Sequence, residues 1–384
     1  MNILQIISRQ HNRSGSGVQM MQLSLELAKR GHKVTAAYRY DPTRDDDFEP
    51  YRNSPVSLLR LPYTTTRLRV KSLIDIFMVR RLIKQGNFDV IHTHSNVVDH
   101  VFLGTLGMDI PIVSNRGMSA KLNWAKGFKY RSDKIKRAIA VSKDIKDIMM
   151  KTGGIDSHKI DVVYGSVDPD RFSPELSKKA QQADGDEANV EAVTRSQLNI
   201  PKDAFVYGYT GSIGGRKGIN FLLDAFAKVL KEKADNLPYL LLVGFSEEQL
   251  RKSGIELDPE VAKNVVCAGF QHQPEYHMAL FDTFVFPGVR DEGLTGAIRE
   301  AVSMKIPAIS TDNGGNRELV IDQETGLMVP IRDSHALANA MKFMMDHPEE
   351  RDSMVSKAYQ IVMDSMTIEK RTDAIEALYR ELVG

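Results

Sequence analysis

One local pattern recurs from residue 3 to residue 311: a short apolar run, a polar or glycine-rich turn, then a stretch with helical apolar spacing. Residues 3–7, 34–38, 90–92, 112–114 and 138–141 read as buried strands in the first half, and 205–210, 240–243, 265–267, 283–286 and 308–311 in the second. Strands separated by helices cannot close as hairpins; they build a parallel sheet covered by helices on both faces. Between them Val18, Met21, Leu25 and Ala28 share one helical face, and Gly31 ends that helix. A second helix spans 73–84 and closes at Gly86, and Ser142 caps a third. The alternation predicts an α/β fold of doubly wound, Rossmann-like sheets, whose ligands bind at the carboxyl ends of the strands.

The chain has 384 residues, too many for one ordinary core. The pattern breaks over 174–200, a polar run poor in β-branched residues, and resumes at 205. Two domains facing a central cleft are therefore expected: 1–172, a linker with a polar insertion at 173–200, and 201–366. Hydrophobic residues make up 42% and charged residues 26%, as in a soluble globular protein, and no apolar run reaches the roughly 18 residues of a membrane span. The start enters a strand-like run with no basic leader, so no secretory signal is expected. The lone Cys267 excludes an internal disulfide and a cysteine metal cluster. A cytoplasmic setting follows.

The net charge of +1 hides an asymmetry: residues 1–171 hold 28 Lys and Arg against 17 Asp and Glu, and the remainder 23 against 33. The first half is built to face something anionic, or the halves balance each other. Lys121, Lys126, Lys129, Arg131, Lys134, Lys136 and Arg137 interleave with Trp124, Phe128 and Tyr130. With Arg67, Arg69, Lys71, Arg80 and Arg81 they suit an anionic membrane surface; a solvated face and nucleic acid are the other readings of that composition, and nucleic acid is the least favoured.

The richest segment is 287–302, PGVRDEGLTGAIREAV. An apolar run ends at Pro287, and a helix is expected to begin near Gly293. Glu292 stands in the loop and Glu300 inside the helix, eight residues or about 12 Å of helix apart. Between them Leu294, Thr295 and Gly296 are expected to offer backbone N–H groups at a helix N-terminus, an anion site. A carboxylate, an anion site and a second carboxylate suit a sugar, a diphosphate and a ribose in a row. Two glycine turns also follow strands. Gly15 and Gly17 open a helix after the first strand, without the third glycine of a dinucleotide fingerprint. In TGSIGGRKG (210–218), Arg216 and Lys217 stand at a helix start, where a cation opposes the helix dipole unless an anion sits between. His92 and His94 share one side of a strand end, too few for a metal site, and Arg116 ends the next strand. Asp45–Asp47 and Asp168–Asp170 read as solvated loops.

In order, the glycine turn with LAKRGHKV, FDVIHTHS, AIAVSKDIKD, VVYGSVDPDRF, TGSIGGRKGINFLLDAF, EGLTGAIREAV, IPAISTDNGGNREL and ETGLMVP resemble the family 4 (group 1) glycosyltransferases of GT-B fold, a retaining group that uses nucleotide-sugar donors. The resemblance covers nearly the whole chain. It implies that Glu292 contacts the donor sugar, Glu300 the ribose, and Arg216 and Lys217 the diphosphate. Leu294, Thr295, Gly296 and Ser212 would line the donor site, and Gly15 and Gly17 would face it from the first domain. His92, His94 and Arg116 are candidates for sugar or acceptor contact. No metal and no cofactor are expected. The partners implied are a UDP- or GDP-sugar and a glycan or lipid-linked acceptor of envelope polysaccharide synthesis, with the enzyme peripheral on the inner face of the membrane. A final helix near 367–384 would return to the first domain. Two departures stand out: Ser212 occupies a position where many members carry Arg, and Arg116 one where many carry His. A GT-B sugar-nucleotide epimerase and a non-catalytic sugar-nucleotide or membrane-binding protein are the alternatives.

Overall fold

The computed structural model describes residues 1–8, 15–40, 46–61, 72–182, 193–232, 237–290 and 292–384. These form two units: residues 1–166 with 368–384, and residues 167–367.

In the first unit seven parallel strands, β1 (Asn2–Ile7), β2 (Lys33–Arg39), β3 (Ser57–Leu61), β4 (Val90–His94), β5 (Ile112–Arg116), β6 (Ile135–Ala140) and β7 (Ile160–Val162), lie in the order β3-β2-β1-β4-β5-β6-β7. Period two divides each central strand between two cores. Leu4 and Ile6 pack with Val79 and Ile83 of the helix Ser72–Gly86 and with Ile145 and Met149 of the helix Lys143–Gly153. Ile3 and Ile7 pack on the other face with Met20, Leu23 and Leu27 of the helix Gly15–Lys29 and with Ile375, Leu378 and Tyr379 of the helix Ile368–Val383. Each such side chain contributes roughly 1.5–3 kcal/mol by its burial. The local punctuation is as expected: Ser142 accepts from the Ile145 amide at 3.2 Å, and Gly31 turns the chain at φ +87. Strands β3 and β7 carry no clear apolar run. Only Leu61 of β3 is fully buried, and β7 has three residues.

In the second unit β8 (Val206–Thr210), β9 (Tyr239–Val243), β10 (Val265–Cys267), β11 (Thr283–Phe286), β12 (Ala308–Thr311) and β13 (Leu327–Val329) make a parallel sheet in the order β10-β9-β8-β11-β12-β13. Residues 167–172, assigned by sequence to the first domain, cluster with this unit instead. The Val167 amide donates to the Met366 carbonyl at 2.8 Å. Arg171 grips both carboxylate oxygens of Glu275 at 2.8 and 2.7 Å, and the Ser303 hydroxyl donates to the Phe172 carbonyl. The expected linker is likewise built in at both ends. It starts as the helix Pro174–Gln182, and Arg195 near its close pairs with Asp282 at 2.9 Å. Residues 183–192 of the polar insertion lie outside the described residues, as do Arg67, Arg69, Lys71 and Asp45.

Candidate donor site and its counterpart in the first unit

Strand order reverses between β8 and β11 in the second sheet, and open α/β sheets bind ligands at the carboxyl ends of the strands at such a point. The loops that follow these two strands are tied together. A Cβ on Gly218 would fall 2.0 Å from the Pro287 carbonyl oxygen, and Gly218 has φ +70, so only glycine permits this approach. Two residues on from Pro287, the Val289 amide donates to the Arg216 carbonyl at 2.9 Å. Tyr209 holds the start of the glycine turn by donating to the Ser212 carbonyl at 3.1 Å. Across the joined loops Lys217 Nζ donates to Glu292 Oε1 at 2.8 Å, and the ammonium also lies 5.2 Å from the Phe286 ring centre. Both side chains are largely covered, at 21% and 15% exposure. The ion pair joins residues 75 positions apart. The Ser212 and Arg216 side chains are exposed.

The next helix is Gly296–Ser303, with Thr295 as its cap, so it begins three residues after the expected start. Thr295 is therefore a correction: its amide is not an open anion donor, because it donates to Asn316 Oδ1 at 2.9 Å. Asn316 is held in turn through Nδ2 on the Ser310 hydroxyl at 3.2 Å. The Leu294 carbonyl accepts from Arg299 Nη1 at 2.8 Å, and the Thr311 hydroxyl donates to the Gly288 carbonyl. Gly296 is not demanded by crowding, since a Cβ there would meet Arg299 and Glu300 only at ordinary contact distance, 3.7 and 3.8 Å. Glu300 is half-buried. Burial raises its pKa above the usual carboxylate range, against the pull of the Arg299 and Arg171 charges. Burial likewise pushes Arg299 down to about 10, opposed by Glu300. Arg299, Thr311 and Asn316 were not singled out from sequence; the polar residues that end β12 beside Gly314–Gly315 were the available signal.

In the first sheet the order reverses between β1 and β4. Gly15 and Gly17 lie in the first turn of the helix after β1, and residues 9–14 of that turn lie outside the described residues. His92 and His94 stack at 4.4 Å, as period two requires. Both are residues of β4 and both are fully buried. Their hydrogen bonds form an ordered chain whose protons the donor inventory assigns. Asn115 Nδ2 donates to His94 Nδ1, and His94 Nε2 donates to Gln5 Oε1 at 2.6 Å. Gln5 Nε2 donates to the Tyr379 hydroxyl at 3.0 Å, which donates to His92 Nδ1. Burial first, and the Arg371 charge second, push the His92 pKa down to about 3. Burial, with the His92 and Arg371 charges behind it, lowers His94 too. Both rings are neutral structural groups. Arg116 ends β5 with Nη2 on the Ala120 carbonyl, and its Nε is buried without a hydrogen bond. Among the described residues no three His, Cys, Asp or Glu side chains are grouped to hold a metal ion.

Much of the basic segment is engaged within the unit. Lys129 pairs with Asp99, Lys134 donates to the Met108 carbonyl, and Arg137 pairs with Glu381. Arg131 lies 4.1 Å over the Trp124 ring and donates to the Gly153 carbonyl at 2.5 Å. No helix among the described residues is long and apolar enough to cross a membrane.

These two sheets define a GT-B fold, and solved structures match it end to end. A glycosyltransferase from Rickettsia africae ESF-5 superposes with TM-score 0.81 at 17% identity, covering 100% of this chain and 98% of that one. Anabaena Alr3699/HepE in complex with UDP superposes with TM-score 0.78 at 17% identity, covering 99% and 100%. The Escherichia coli UDP-Gal:alpha-D-GlcNAc-diphosphoundecaprenol alpha-1,3-galactosyltransferase is 24% identical over 333 residues, 82% of this chain and 80% of that one. The model for Glycosyltransferase Family 4 matches residues 13–171, and that for Glycosyl transferases group 1 matches residues 204–347. The chain belongs to the family 4 (group 1) glycosyltransferases, and it is a glycosyltransferase.

Proposed function

We propose that this glycosyltransferase moves a sugar, with retention and without a metal, from a nucleotide-sugar to a glycan or lipid-linked acceptor of cell-envelope polysaccharide synthesis. The observation that carries the reading is the Lys217–Glu292 pair at 2.8 Å. A cation and a carboxylate held by adjoining loops at a strand-order reversal can divide one substrate between them: the ammonium takes the diphosphate, the carboxylate a sugar hydroxyl. Lys217 and the exposed Arg216 then stabilise the leaving nucleotide as negative charge develops on it, work that a divalent ion performs elsewhere. Glu300 accepts from the ribose, and the amides of Leu294 and Gly296 complete the phosphate contacts. In the retaining step the bond from the anomeric carbon to the phosphate oxygen breaks, the acceptor oxygen bonds to the same face, and its proton passes to the diphosphate. The UDP complex of HepE and the lipid diphosphate acceptor named for the E. coli relative support the substrate classes.

The first unit carries the membrane reading. The helix Ser72–Gly86 exposes Leu73, Ile74 and Phe77, and the helix Trp124–Arg131 exposes Trp124 and Phe128. They are linked through the helix Val98–Gly104: Arg80 donates to the Gly104 carbonyl at 3.0 Å, and Phe102 meets Phe128 at 6.3 Å. Apolar side chains with Arg81 and Lys84 on the one helix and Lys126 on the other suit the headgroup layer of an anionic bilayer.

Thermal stabilisation by a panel of UDP- and GDP-sugars tests the donor, since a ligand that binds only the folded state raises its stability with occupancy. Product anomeric configuration by NMR tests retention, and undiminished turnover in excess chelator tests metal independence. Salt-sensitive cosedimentation with phosphatidylglycerol vesicles, lost in Phe77→Ser with Trp124→Ser, tests the membrane face. No stabilisation by any nucleotide-sugar would sink the transferase mechanism drawn here.

A further inference from the structure

The reversal point of the first sheet holds a device built without charge. Strand β4 ends at His94, and the next residue, Ser95, has φ +63, a left-handed conformation that a side chain normally avoids and glycine accepts freely. The residue is pinned on both sides. His94 is locked by Gln5 and Asn115, and Val97 and Val98 are buried in the core. In that fixed position the Ser95 hydroxyl donates to the Ser16 hydroxyl at 3.3 Å. Ser16 lies between Gly15 and Gly17 in the first turn of the helix that follows β1. Among the described residues, a Cβ on Gly15 would meet nothing within 4 Å. Backbone strain persists where the surroundings over-determine it, and it clusters at functional sites. A serine kept where glycine would be unstrained implies a use for its hydroxyl.

We propose that Ser95 is a positioning residue for the glycosyl-transfer reaction. Its hydroxyl fixes the Gly15–Gly17 turn, and with it the amides that the first helical turn leaves outside its own ladder, in the orientation that substrate needs. The inference rests on the transferase reading for its catalytic consequence, while the contact itself is tested independently.

The test uses the full chain with Ser95→Gly, Ser95→Ala, Ser16→Ala and the double Ser95→Ala/Ser16→Ala. Ser95→Gly removes the hydroxyl and relieves the backbone, so its Tm stays at or above that of the parent, which separates it from a folding defect. Its kcat/KM for transfer falls about tenfold through lost orientation, with nucleotide affinity unchanged. Ser16→Ala loses at least that factor, and the double variant loses no more than Ser16→Ala alone, because the Ser95–Ser16 contact is already absent there. Hydrogen exchange reads the turn without reference to activity. The amides of residues 19–21 bond to the carbonyls of residues 15–17 in an α-helix, and they exchange severalfold faster in Ser95→Gly and Ser16→Ala. Parent-like exchange at those amides in Ser95→Gly overturns the proposal whatever the kinetics. A loosened turn with unchanged kcat/KM overturns its catalytic half. A parent that binds and turns over no nucleotide-sugar, with the turn still loosened in the variants, sinks the transferase reading and leaves the contact standing.

Discussion

Both sheets reverse their strand order at a central pair, and the two reversals are furnished with opposite chemistry. At β8 and β11 the loops bring a cation against a carboxylate, Lys217 on Glu292 at 2.8 Å. At β1 and β4 the strands end in neutral, proton-ordered groups, His92, His94, Gln5 and Tyr379, and the loops meet through two hydroxyls. The contrast separates two tasks on one topology. A charged pair whose members can each turn to a ligand suits binding that is made and broken in every cycle. A buried neutral network serves the core, where each missing partner strands a donor or acceptor, as His92 Nε2 and Asn115 Oδ1 already are.

The comparison can be broken most forcefully at Lys217. Lys217→Ala should lower kcat/KM by about 10²–10³-fold, the range for removing a group that meets developing charge, with far-ultraviolet circular dichroism unchanged. Glu292→Gln should instead raise KM for the donor sugar and leave free nucleotide affinity intact. An equal loss of nucleotide binding in both variants would merge the two roles. In the other unit Tyr379→Phe leaves Gln5 Nε2 and His92 Nδ1 without their partner, and should cost about 2–4 kcal/mol by urea unfolding while nucleotide affinity is unchanged. A Tyr379→Phe protein as stable as the parent would show that the network is not structural. Glu300 sharpens the comparison through pH. Its carboxyl is raised by burial against Arg299 and Arg171, and only the ionised form accepts two hydroxyl hydrogen bonds. Nucleotide affinity should therefore fall as pH drops from neutral, beginning above the usual glutamate range, and Glu300→Gln should flatten that profile in calorimetric titrations. The smallest effect belongs to Glu376. Its hydrogen bonds to Arg380, His32 and Arg30 outweigh burial and hold it down to about 2. A depressed acid adds stability above its unfolded pKa, so this increment is present at neutral pH and lost as pH falls from about 4.5 toward 2. Glu376→Gln should cost about 1 kcal/mol at pH 7 and nothing near pH 2, read from Tm across that range.

What could be read before the structure divides along the same line. Buried central strands announce themselves, because both faces select Ile, Val and Ala. The edge strand Ser57–Leu61 does not, since only Leu61 is buried, and Asp161 interrupts the apolar run of β7. Lys217 and Glu292 were legible as chemistry, through a cation at a helix start and an acid after a strand. Their contact was not, because it depends on Gly218 letting two distant loops touch. Thr295 was misjudged because the cap sits three residues later than the glycine suggested, and its amide answers to Asn316, twenty-one positions away. His94 was placed at the strand end correctly, but its burial was not legible, because β4 runs two residues past its apolar stretch into a polar interior. The chain-end partners that make that interior habitable, Tyr379 above all, carry no local mark at residue 92.

The late return of the chain to the first sheet sets a schedule for synthesis. The second unit is one continuous segment, and its two ends, Val167 and Met366, are hydrogen-bonded to each other. Every residue it needs has been translated before Ile368 is added. The first unit contains residue 1 yet lacks Ile375, Leu378 and Tyr379 until the segment after the second unit is translated. Until then the part of its second apolar face that the helix Gly15–Lys29 does not cover, and the His92 ring, lack their partners. The portion made first is thus the portion completed last, and a chain released after residue 367 would carry a complete second unit beside an aggregation-prone first core that lacks its last helix.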